Sequence, residues 1–548
     1  MIPTARAGFS LPFTLDDHWD SFAPRAIIGM LIAASMFPMA CSSPADPEPS
    51  PTLQPTVSAP AASSGANQPI EATIEEKCVA CHLLPDPGVL PKRAWPPMIM
   101  RMFEIDEQGI MAGSLDQQET INWYTDRAPV RLEVADKTTG EADIRLDLRR
   151  AEIYRAGGGG VAGAVSNVQV HNLGPDVGTK LVATDMANGL VMMADPDLPD
   201  EGFRTIAEVP HPARTSLTDL DQDERMDLLV GDLGSFEPAQ HENGQAIWLR
   251  GEGEGAFSRH VLGDGFGRVV DVEAADFDRD GDLDVIVGEF GSLEKGGLWL
   301  LENITSDWSK PEFVRRLLDG RGGPVHTALA DFDGDGALDI VALRAEHYED
   351  LTVYFSRGGS DFERRVVFQA PQPSWGYSGL EVTDFDLDGD PDLLITNGDG
   401  FDAGGLLQPF HGVQLLLNQG DGHFVPQPLM PFRGAHRAEA GDIDGDGDLD
   451  IAACAFHPFL PDDNRVEQKL DAVVWYEQVA PLSFERHAIE VFHVDCATLD
   501  LKDFDGDGDL DLVTGVFRVG LSGTGWNPAQ QASEPAPVVI TWENLKIP

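Results

Sequence analysis

The sequence predicts a mainly β protein in which a seven-bladed β-propeller follows a small all-α domain. Two observations carry this prediction. An aspartate-rich motif recurs six times at intervals of 53 to 61 residues, and apolar segments typical of strands flank each recurrence. The 57 glycines among 548 residues also favour a turn-rich β fold over a helical one. Four-stranded units of about this length around one axis are propeller blades.

The charge balance restricts the partners that the protein can have. The formal net charge is −54, from 92 acidic and 38 basic side chains. Such a chain repels phosphate backbones, so we expect no nucleic-acid partner. The acids are clustered and strand segments follow each cluster, which indicates sites for cations in a folded protein rather than a disordered acidic chain.

Residues 1–40 are typical of an export signal. Arg25 precedes the apolar run AIIGMLIAASMFPMAC, which is too short to span a bilayer as a mature helix. The ending PMAC followed by SSPAD resembles a bacterial lipoprotein signal, and this resemblance implies that Cys41 is lipidated. A plain signal, cleaved or retained, is the alternative. We therefore expect an exported lipoprotein that is anchored to a membrane and faces the periplasm or the cell surface.

The next segment, residues 41–69, is dominated by Pro, Ser, Ala and Thr. Such a composition cannot bury enough apolar surface to fold. It predicts a tether, which would reach ~3 Å per residue when extended.

The segment 70–130 contains the motif Cys-x-x-Cys-His, which is the attachment signature of c-type haem. At this spacing Cys78 and Cys81 reach the two vinyl groups of the macrocycle, and His82 lies beneath the iron as proximal ligand. A redox pair or a zinc site is the alternative. No second Cys-x-x-Cys or flanking histidine pair completes a zinc site, and no βαβ pattern surrounds the motif. We therefore expect one covalent haem c.

Three methionines follow the motif on the next predicted helix. The segment resembles small class-I cytochrome c domains, and this resemblance implies that a downstream methionine is the sixth ligand of the iron. Met102 is the preferred candidate because Met98 is close to Pro96-Pro97, where the chain enters the helix. Met98 and Met100 remain alternatives. Residues 115–129 predict the closing helix of this domain.

Each aspartate loop carries carboxylates at positions 1, 3, 5 and 9, and five of the six have glycine at position 6. All-oxygen, highly charged and flexible sites suit Ca²⁺ better than Mg²⁺. The loops lack the position-12 glutamate of an EF-hand, and strand residues follow them instead of a helix. About six calcium sites are therefore expected. The predicted ligands are Asp219, Asp221, Asp223 and Asp227; Asp276, Asp278, Asp280 and Asp284; Asp331, Asp333, Asp335 and Asp339; Asp384, Asp386, Asp388 and Asp392; Asp442, Asp444, Asp446 and Asp450; and Asp503, Asp505, Asp507 and Asp511.

Strand–turn–strand segments such as AIWLRGEGEGAF lie between the loops. Together with the loops they resemble the FG-GAP/VCBS repeats found in integrin-α propellers, over residues 140–548. The segment 165–185 aligns with the repeats but lacks the aspartates, so it predicts a seventh blade without a metal site. The segment 142–155 should pair with the last repeat and close the ring.

Two further predictions concern the interior of the propeller. Cys454 and Cys496 are expected to be buried free thiols, with a disulfide as the alternative. Residues several positions before the aspartate loops are expected either to ring the opposite mouth of the channel or to be scattered over the surface. They are Arg214, Arg268, His326, Tyr377, His436 and His493.

These features together favour an extracytoplasmic, membrane-tethered c-type cytochrome that transfers electrons, with the propeller as a docking platform. The expected partner is a redox protein or a small electron donor or acceptor, and the chain is expected to be a monomer. A haem-linked periplasmic dehydrogenase is the first alternative, although the sequence has no quinone-binding signature or flavin fold. A calcium-dependent adhesion protein is the second. Fold alone does not decide among them.

Overall fold

The computed structural model describes residues 70–78, 84–104, 115–132, 146–156, 163–237, 240–291, 295–400, 408–457, 467–491, 495–518 and 537–545, together with 521–522 and 525–526. The predicted signal and tether lie outside the described residues, and so do Cys41, Cys81, His82 and His493.

Three helices form the first described part of the chain: α1 (Ile70–Cys78), α2 (Trp95–Glu104) and α3 (Gln117–Arg127). A 3₁₀ turn, Pro87–Val89, lies between α1 and α2. Helix α3 begins after Asp116, whose Oδ1 accepts the Glu119 N–H at 2.8 Å as an N-cap. The helices enclose a small apolar core in which the rings of Trp95 and Tyr124 stack at 4.0 Å. Among the helices that the structure describes, none is long and apolar enough to cross a membrane.

Seven antiparallel sheets follow, and they confirm the prediction of a seven-bladed propeller. The single strand β1 (Leu148–Ile153) precedes them. Blade 1 contains β2 (Val165–Asn172), β3 (Thr179–Asp185), β4 (Leu190–Ala194) and β5 (Arg204–Glu208), with a 3₁₀ turn at Pro199–Glu201. Blade 2 contains β6 (Pro212–Thr218), β7 (Asp227–Asp232), β8 (Gly244–Gly253) and β9 (Ala256–Phe266). Blade 3 contains β10 (Arg268–Ala275), β11 (Asp284–Phe290), β12 (Gly297–Asn303) and β13 (Phe313–Asp319).

The remaining blades repeat this order. Blade 4 contains β14 (Pro324–Ala330), β15 (Asp339–Arg344), β16 (Asp350–Ser356) and β17 (Phe362–Gln369). Blade 5 contains β18 (Tyr377–Thr383), β19 (Asp392–Asn397), β20 (Gly412–Asn418), β21 (Phe424–Pro426) and the short β22 (Met430–Pro431). Blade 6 contains β23 (Ala435–Gly441), β24 (Asp450–Ala455), β25 (Asp471–Ala480) and β26 (Ser483–Val491). Blade 7 contains β27 (Cys496–Lys502), β28 (Asp511–Val516), β31 (Val539–Asn544) and β1. The two-residue strands β29 (Leu521–Ser522) and β30 (Gly525–Trp526) pair with each other.

The ring closes as the sequence predicts. Strand β1 pairs antiparallel with β31, with Ile153 opposite Val539, so the first strand of the propeller completes its last blade. The first strands of the seven repeats contact one another in a closed circle around the axis. Blade 7 therefore has four strands, and the two ends of the propeller are joined within one sheet.

The apolar runs that follow the aspartate loops in the sequence form the second strands of the blades. Strands β7, β15, β19, β24 and β28 are buried along their whole length, because the neighbouring blades cover both of their faces. Cys454 and Cys496 lie in the core between blades 6 and 7. Both are buried and no disulfide joins them, as predicted, and the Cys454 Sγ donates to the Cys496 carbonyl at 3.2 Å.

Candidate metal centres

Each aspartate loop joins the first strand of a blade to the second, so all six loops lie at one end of the ring. The residues at positions 4 and 6 have left-handed backbone conformations in every loop. Glycine at position 6 has φ between 83° and 101°, and a Cβ there would contact nothing within 4 Å. Glycine is therefore favoured for its backbone freedom rather than for space. In the first loop Glu224 adopts φ 68° at this position, and Gln222, Arg279 and Leu387 are left-handed at position 4.

The aspartate at position 1 fixes the turn through its own carboxylate. Asp442 Oδ1 accepts the Gly445 N–H at 2.8 Å, and its Oδ2 accepts the Gly447 N–H at 3.1 Å. Asp503 makes the equivalent pair of bonds to Gly506 and Gly508, at 2.7 and 3.1 Å. These bonds hold the turn closed around the carboxylate of position 1.

The aspartate at position 9 has a role that the sequence did not reveal. Asp392 is fully buried; its Oδ2 accepts the Phe385 N–H at 2.9 Å and its Oδ1 accepts the Asn418 N–H at 2.7 Å. It therefore ties the loop to the third strand of the blade. The equivalent third-strand donors in the other loops are Gly251, Asn303, Ser356, Gln478 and Asn544.

Burial of this carboxyl group alters its acidity. Burial raises the pKa of Asp392 to about 6, and that of Asp511 to about 7, in the chain without metal. Each carboxylate oxygen has a second lone pair, so the position-9 side chain can still coordinate a cation while it holds the strand.

The carboxylates converge closely enough to share one ion. In the first four loops one ligand atom from each of three aspartates lies within 4.8 Å of the others: Asp219, Asp221 and Asp227; Asp276, Asp278 and Asp280; Asp331, Asp333 and Asp339; and Asp384, Asp386 and Asp392. Several buried carboxylate oxygens have no hydrogen-bond partner, namely Oδ1 of Asp221, Asp276, Asp333 and Asp384. A buried carboxylate oxygen is costly unless it is paired, and an oxygen-only donor set fits Ca²⁺.

The last two loops have the same hydrogen-bond pattern. Burial together with the adjacent carboxylates raises the pKa of Asp444 and Asp505, which indicates crowded negative charge at position 3.

A guanidinium group lies against the carboxylates of the first loop, and a second, more exposed one approaches the third loop. The Arg250 guanidinium, on the third strand of blade 2, donates to Asp221 Oδ2 at 2.6 Å and to Asp223 Oδ2 at 3.0 Å. In the third loop Arg357 approaches Asp333 at 2.9 Å, but this side chain is more exposed and also pairs with Glu363. The residues of the first loop thus fit a metal ion less well than those of the other loops.

The first strands also carry a buried ionic network. Asp271 accepts the Thr327 N–H at 2.9 Å, and its Oδ2 lies 3.6 Å from Arg214 and 3.7 Å from His326. Arg437 donates to Glu439 at 2.9 Å. The structure therefore brings together two of the six predicted mouth residues, Arg214 and His326, while His493 is outside the described residues.

The sequence contains an unused signal for this network. An acidic residue stands three positions before the first aspartate in four of the six repeats: Glu273, Glu381, Glu439 and Asp500. Burial raises the pKa of Glu273, Glu381 and Asp500 well above the ordinary range. Their recurrence at a fixed offset could have been recognised as a second repeated position.

The helical segment places some of the predicted haem ligands on one apolar face. Cys78, Met98 and Met102 all pack against the core that contains Trp95 and Tyr124. Met100 is 46% exposed and points away from that core. A thiol and a thioether on one apolar surface fit the chemistry of c-type haem attachment. Cys81 and His82 are outside the described residues.

The same core contacts the propeller. Phe410, in the loop between β19 and β20, packs against the helical core and stacks on Trp375 at 4.9 Å. Burial raises the pKa of Glu346 on the propeller, while the positive charges of Arg268 and of Arg101 on α2 oppose that shift. The helices therefore contact the end of the propeller opposite the aspartate loops.

Comparison with known proteins supports the repeat assignment. The FG-GAP-like repeat family matches residues 219–287, 331–395 and 396–453. Cartilage acidic protein 1 of Xenopus tropicalis is 24% identical over 54% of this chain and 44% of its own length. Integrin alpha-V of Gallus gallus is 28% identical over 35% of this chain and 20% of its own length.

The chain therefore spans less than half the length of these curated relatives. Among solved structures, virginiamycin B lyase from Staphylococcus aureus aligns with 73% of this chain at 10% identity and a TM-score of 0.42, which is too low to bear on function. The closed ring identifies the fold as a seven-bladed β-propeller, and the three matched segments within it are similar to FG-GAP-like repeats.

Proposed function

We propose that the protein is an extracytoplasmic binding platform, stabilised by calcium, that also carries a c-type haem for electron transfer. The set of converging aspartate loops on a closed propeller supports the proposal of a binding platform. The observation that carries electron transfer is the Cys-x-x-Cys-His motif, whose first cysteine ends α1 beside Met98 and Met102.

Calcium is the cation that these loops suit best. The donors are all oxygen, three carboxylates converge in each of the first four loops, and several of them have a buried oxygen without a partner. An ion that binds only the folded chain stabilises it by about 2.7 kcal/mol per site at a hundredfold excess over Kd. Chelation should therefore lower the melting temperature of the β signal, and millimolar calcium should restore it. Equal melting temperatures in chelator and in calcium would refute this part of the proposal.

Haem, when bound, supplies one-electron redox chemistry at its iron. Cys78 and Cys81 would hold it covalently, His82 would ligate the iron on one side, and Met102 or Met98 on the other. The apolar core around Trp95 would exclude water from it. The contact through Phe410 places this segment against the propeller, so a partner bound there would lie near the haem domain.

The haem proposal has a direct test. Protein matured in a host that exports and attaches haem should retain haem on a denaturing gel, and Cys78→Ala with Cys81→Ala should abolish the stain. Met102→Ala or Met98→Ala should change the low-spin spectrum, whereas the exposed Met100→Ala serves as the matched control and should not. Full haem stain in the double cysteine variant would contradict the assignment.

The export signal, the lipid anchor at Cys41 and the absence of a nucleic-acid partner belong to the same proposal. The similarity to cartilage acidic protein 1 and integrin alpha-V supports an extracellular or secreted location. Cys41→Ser should release the protein from membranes if lipid is the anchor. Continued recovery with membranes would point to a retained signal helix instead.

A purely adhesive function is the second candidate, and the similarity to integrin alpha-V favours it. The two candidates differ in one measurement. Electron transfer requires that a redox partner or small donor change the haem spectrum, whereas adhesion requires calcium-dependent surface binding that survives deletion of residues 42–130. A haem-linked dehydrogenase would in addition reduce its haem when given a substrate alone.

A further inference from the structure

We propose that blade 6 carries a second kind of metal site, in which Glu477, Glu485 and His487 bind a divalent transition-metal ion of the zinc class. One ligand atom from each of these three side chains lies within 4.8 Å of the other two. This site goes beyond the calcium loops, because its donors include an imidazole nitrogen.

The strand register fixes the three side chains on one face of a hairpin. Glu477 on β25 lies directly opposite Glu485 on β26, and His487 follows two residues later on the same face. The His487 Nε2 is 2.7 Å from Glu477 Oε2, and the imidazole side chain is only 4% exposed. Glu485 is exposed, so an ion can enter from solvent without a rearrangement of the blade.

Two carboxylates face each other across the strands at this position. Like charges directly opposite each other on antiparallel strands are destabilising. A divalent ion bound to both glutamates and to the imidazole would convert this repulsion into attraction.

Blade 2 contains the same scaffold without the two glutamates, and it shows which residues are special. Trp475 faces His487 in blade 6 as Trp248 faces His260 in blade 2, with ring centroids 4.9 Å apart and planes at 38° in both. The positions equivalent to the glutamates are Arg250 and Ser258.

In blade 2 the serine Oγ lies 3.1 Å from His260 Nε2. The histidine against the tryptophan is therefore a feature of the blade architecture. The paired glutamates are the addition that makes a metal site.

The donor set selects the class of ion. Calcium prefers oxygen ligands only, whereas an imidazole nitrogen with two carboxylates is typical of zinc and its neighbours. Three protein ligands leave a fourth position for water or an external group.

The test uses the full chain in millimolar calcium, which keeps the aspartate loops filled. All proteins carry Cys78→Ser and Cys81→Ser, so that these thiols do not bind the probe. Zn²⁺ is titrated by calorimetry, and Co²⁺ is followed by its visible absorption.

We expect one zinc site in the parent. Loss of an outer-shell partner lowers metal affinity about 10- to 100-fold, and Glu485→Gln should lower zinc affinity by more than this because Glu485 is a direct ligand. His487→Gln should also remove the cobalt absorption of the site. Glu485 is exposed, so its variant tests the site even if His487→Gln does not fold.

Blade 2 supplies the matched controls, because Ser258→Ala and His260→Gln alter the equivalent positions. Both should leave zinc affinity unchanged. Equal zinc affinity in the parent and in Glu485→Gln would overturn the proposal and leave a histidine–glutamate hydrogen bond. A loss in His260→Gln as large as that in His487→Gln would overturn it as well, since the effect would then report blade packing.

Discussion

Replacing Arg250 with glutamine should convert the first loop into a calcium site. In the parent chain the guanidinium makes two charge-assisted hydrogen bonds to the loop, 2.6 Å to Asp221 and 3.0 Å to Asp223. Asp221 is 2% exposed and Arg250 is 29% exposed, so the pair is mostly shielded from water. Without the guanidinium the carboxylates of this loop repel one another, as they do in the other loops.

The expected loss follows from those two bonds. A hydrogen bond to a charged group contributes about 1.5–3 kcal/mol, and the partial exposure of Arg250 reduces this, so we expect Arg250→Gln to cost about 2–4 kcal/mol in chelator. In calcium the open loop can bind an ion, which returns about 2.7 kcal/mol at a hundredfold excess over Kd. The variant should therefore depend on calcium more strongly than the parent does.

Two measurements decide the matter. Calorimetric titration should count one more calcium ion in Arg250→Gln than in the parent, and urea unfolding should show the loss in chelator and its recovery in calcium. Arg259→Gln is the matched control, because Arg259 lies on the next strand of the same hairpin and pairs with Gln245 instead of the loop. An unchanged calcium count together with unchanged stability in chelator would refute the reasoning.

Four further predictions concern buried carboxyl groups. Asp392→Ala leaves two buried backbone N–H groups unpaired and should cost about 2–5 kcal/mol by urea unfolding, whereas Asp421→Ala in an exposed turn should change stability little. Arg344→Met removes the guanidinium that pairs with Asp319 at 3.0 Å and with Asp350 in the buried base of blade 4, and should cost about 3–5 kcal/mol. Burial raises the pKa of position-9 aspartates such as Asp392 and Asp450 to about 6. Below that pH a proton must leave the carboxyl group before calcium can bind, so calorimetry should show weaker calcium binding at pH 5 than at pH 7.5. The same shift means that the chelated protein loses stability as pH rises from about 4 through 6, since the unfolded carboxyls ionise first; a chelated chain equally stable at pH 5 and pH 7 would contradict it.

The sequence was sufficient for the propeller because its main signals are periodic. The interval of the aspartate motif predicted the blades, the segment 165–185 predicted the blade without aspartates, and the segment 142–155 predicted the closing strand. Burial of Cys454 and Cys496 followed from their places in strands between blades. Each of these features depends on local sequence pattern and on the requirement that the ring of blades close.

The details of the loops were not predictable in the same way, because they depend on contacts between distant residues. Arg250 reaches Asp221 from another strand, and only the register of blade 2 shows that the two side chains meet. The double role of Asp392 likewise needs the third strand in place. The left-handed conformation of Leu387 at position 4 had no sequence signal, since glycine stands there in only half of the loops.

These contacts also connect one loop to the next. Asn418, which donates its backbone N–H to Asp392 in the fourth loop, donates its side-chain amide to the Phe332 carbonyl in the third loop at 3.0 Å. Asn544 links the sixth loop to the fifth in the same way, through the Ile443 carbonyl at 2.8 Å. An ion that orders one loop would therefore also hold the third strand of that blade. The asparagine on this strand in turn binds a backbone carbonyl of the neighbouring loop. Because these links run between adjacent blades, calcium bound in the loops would act on pairs of blades rather than on isolated turns, and the arginine in the first loop would spare its blade from that dependence.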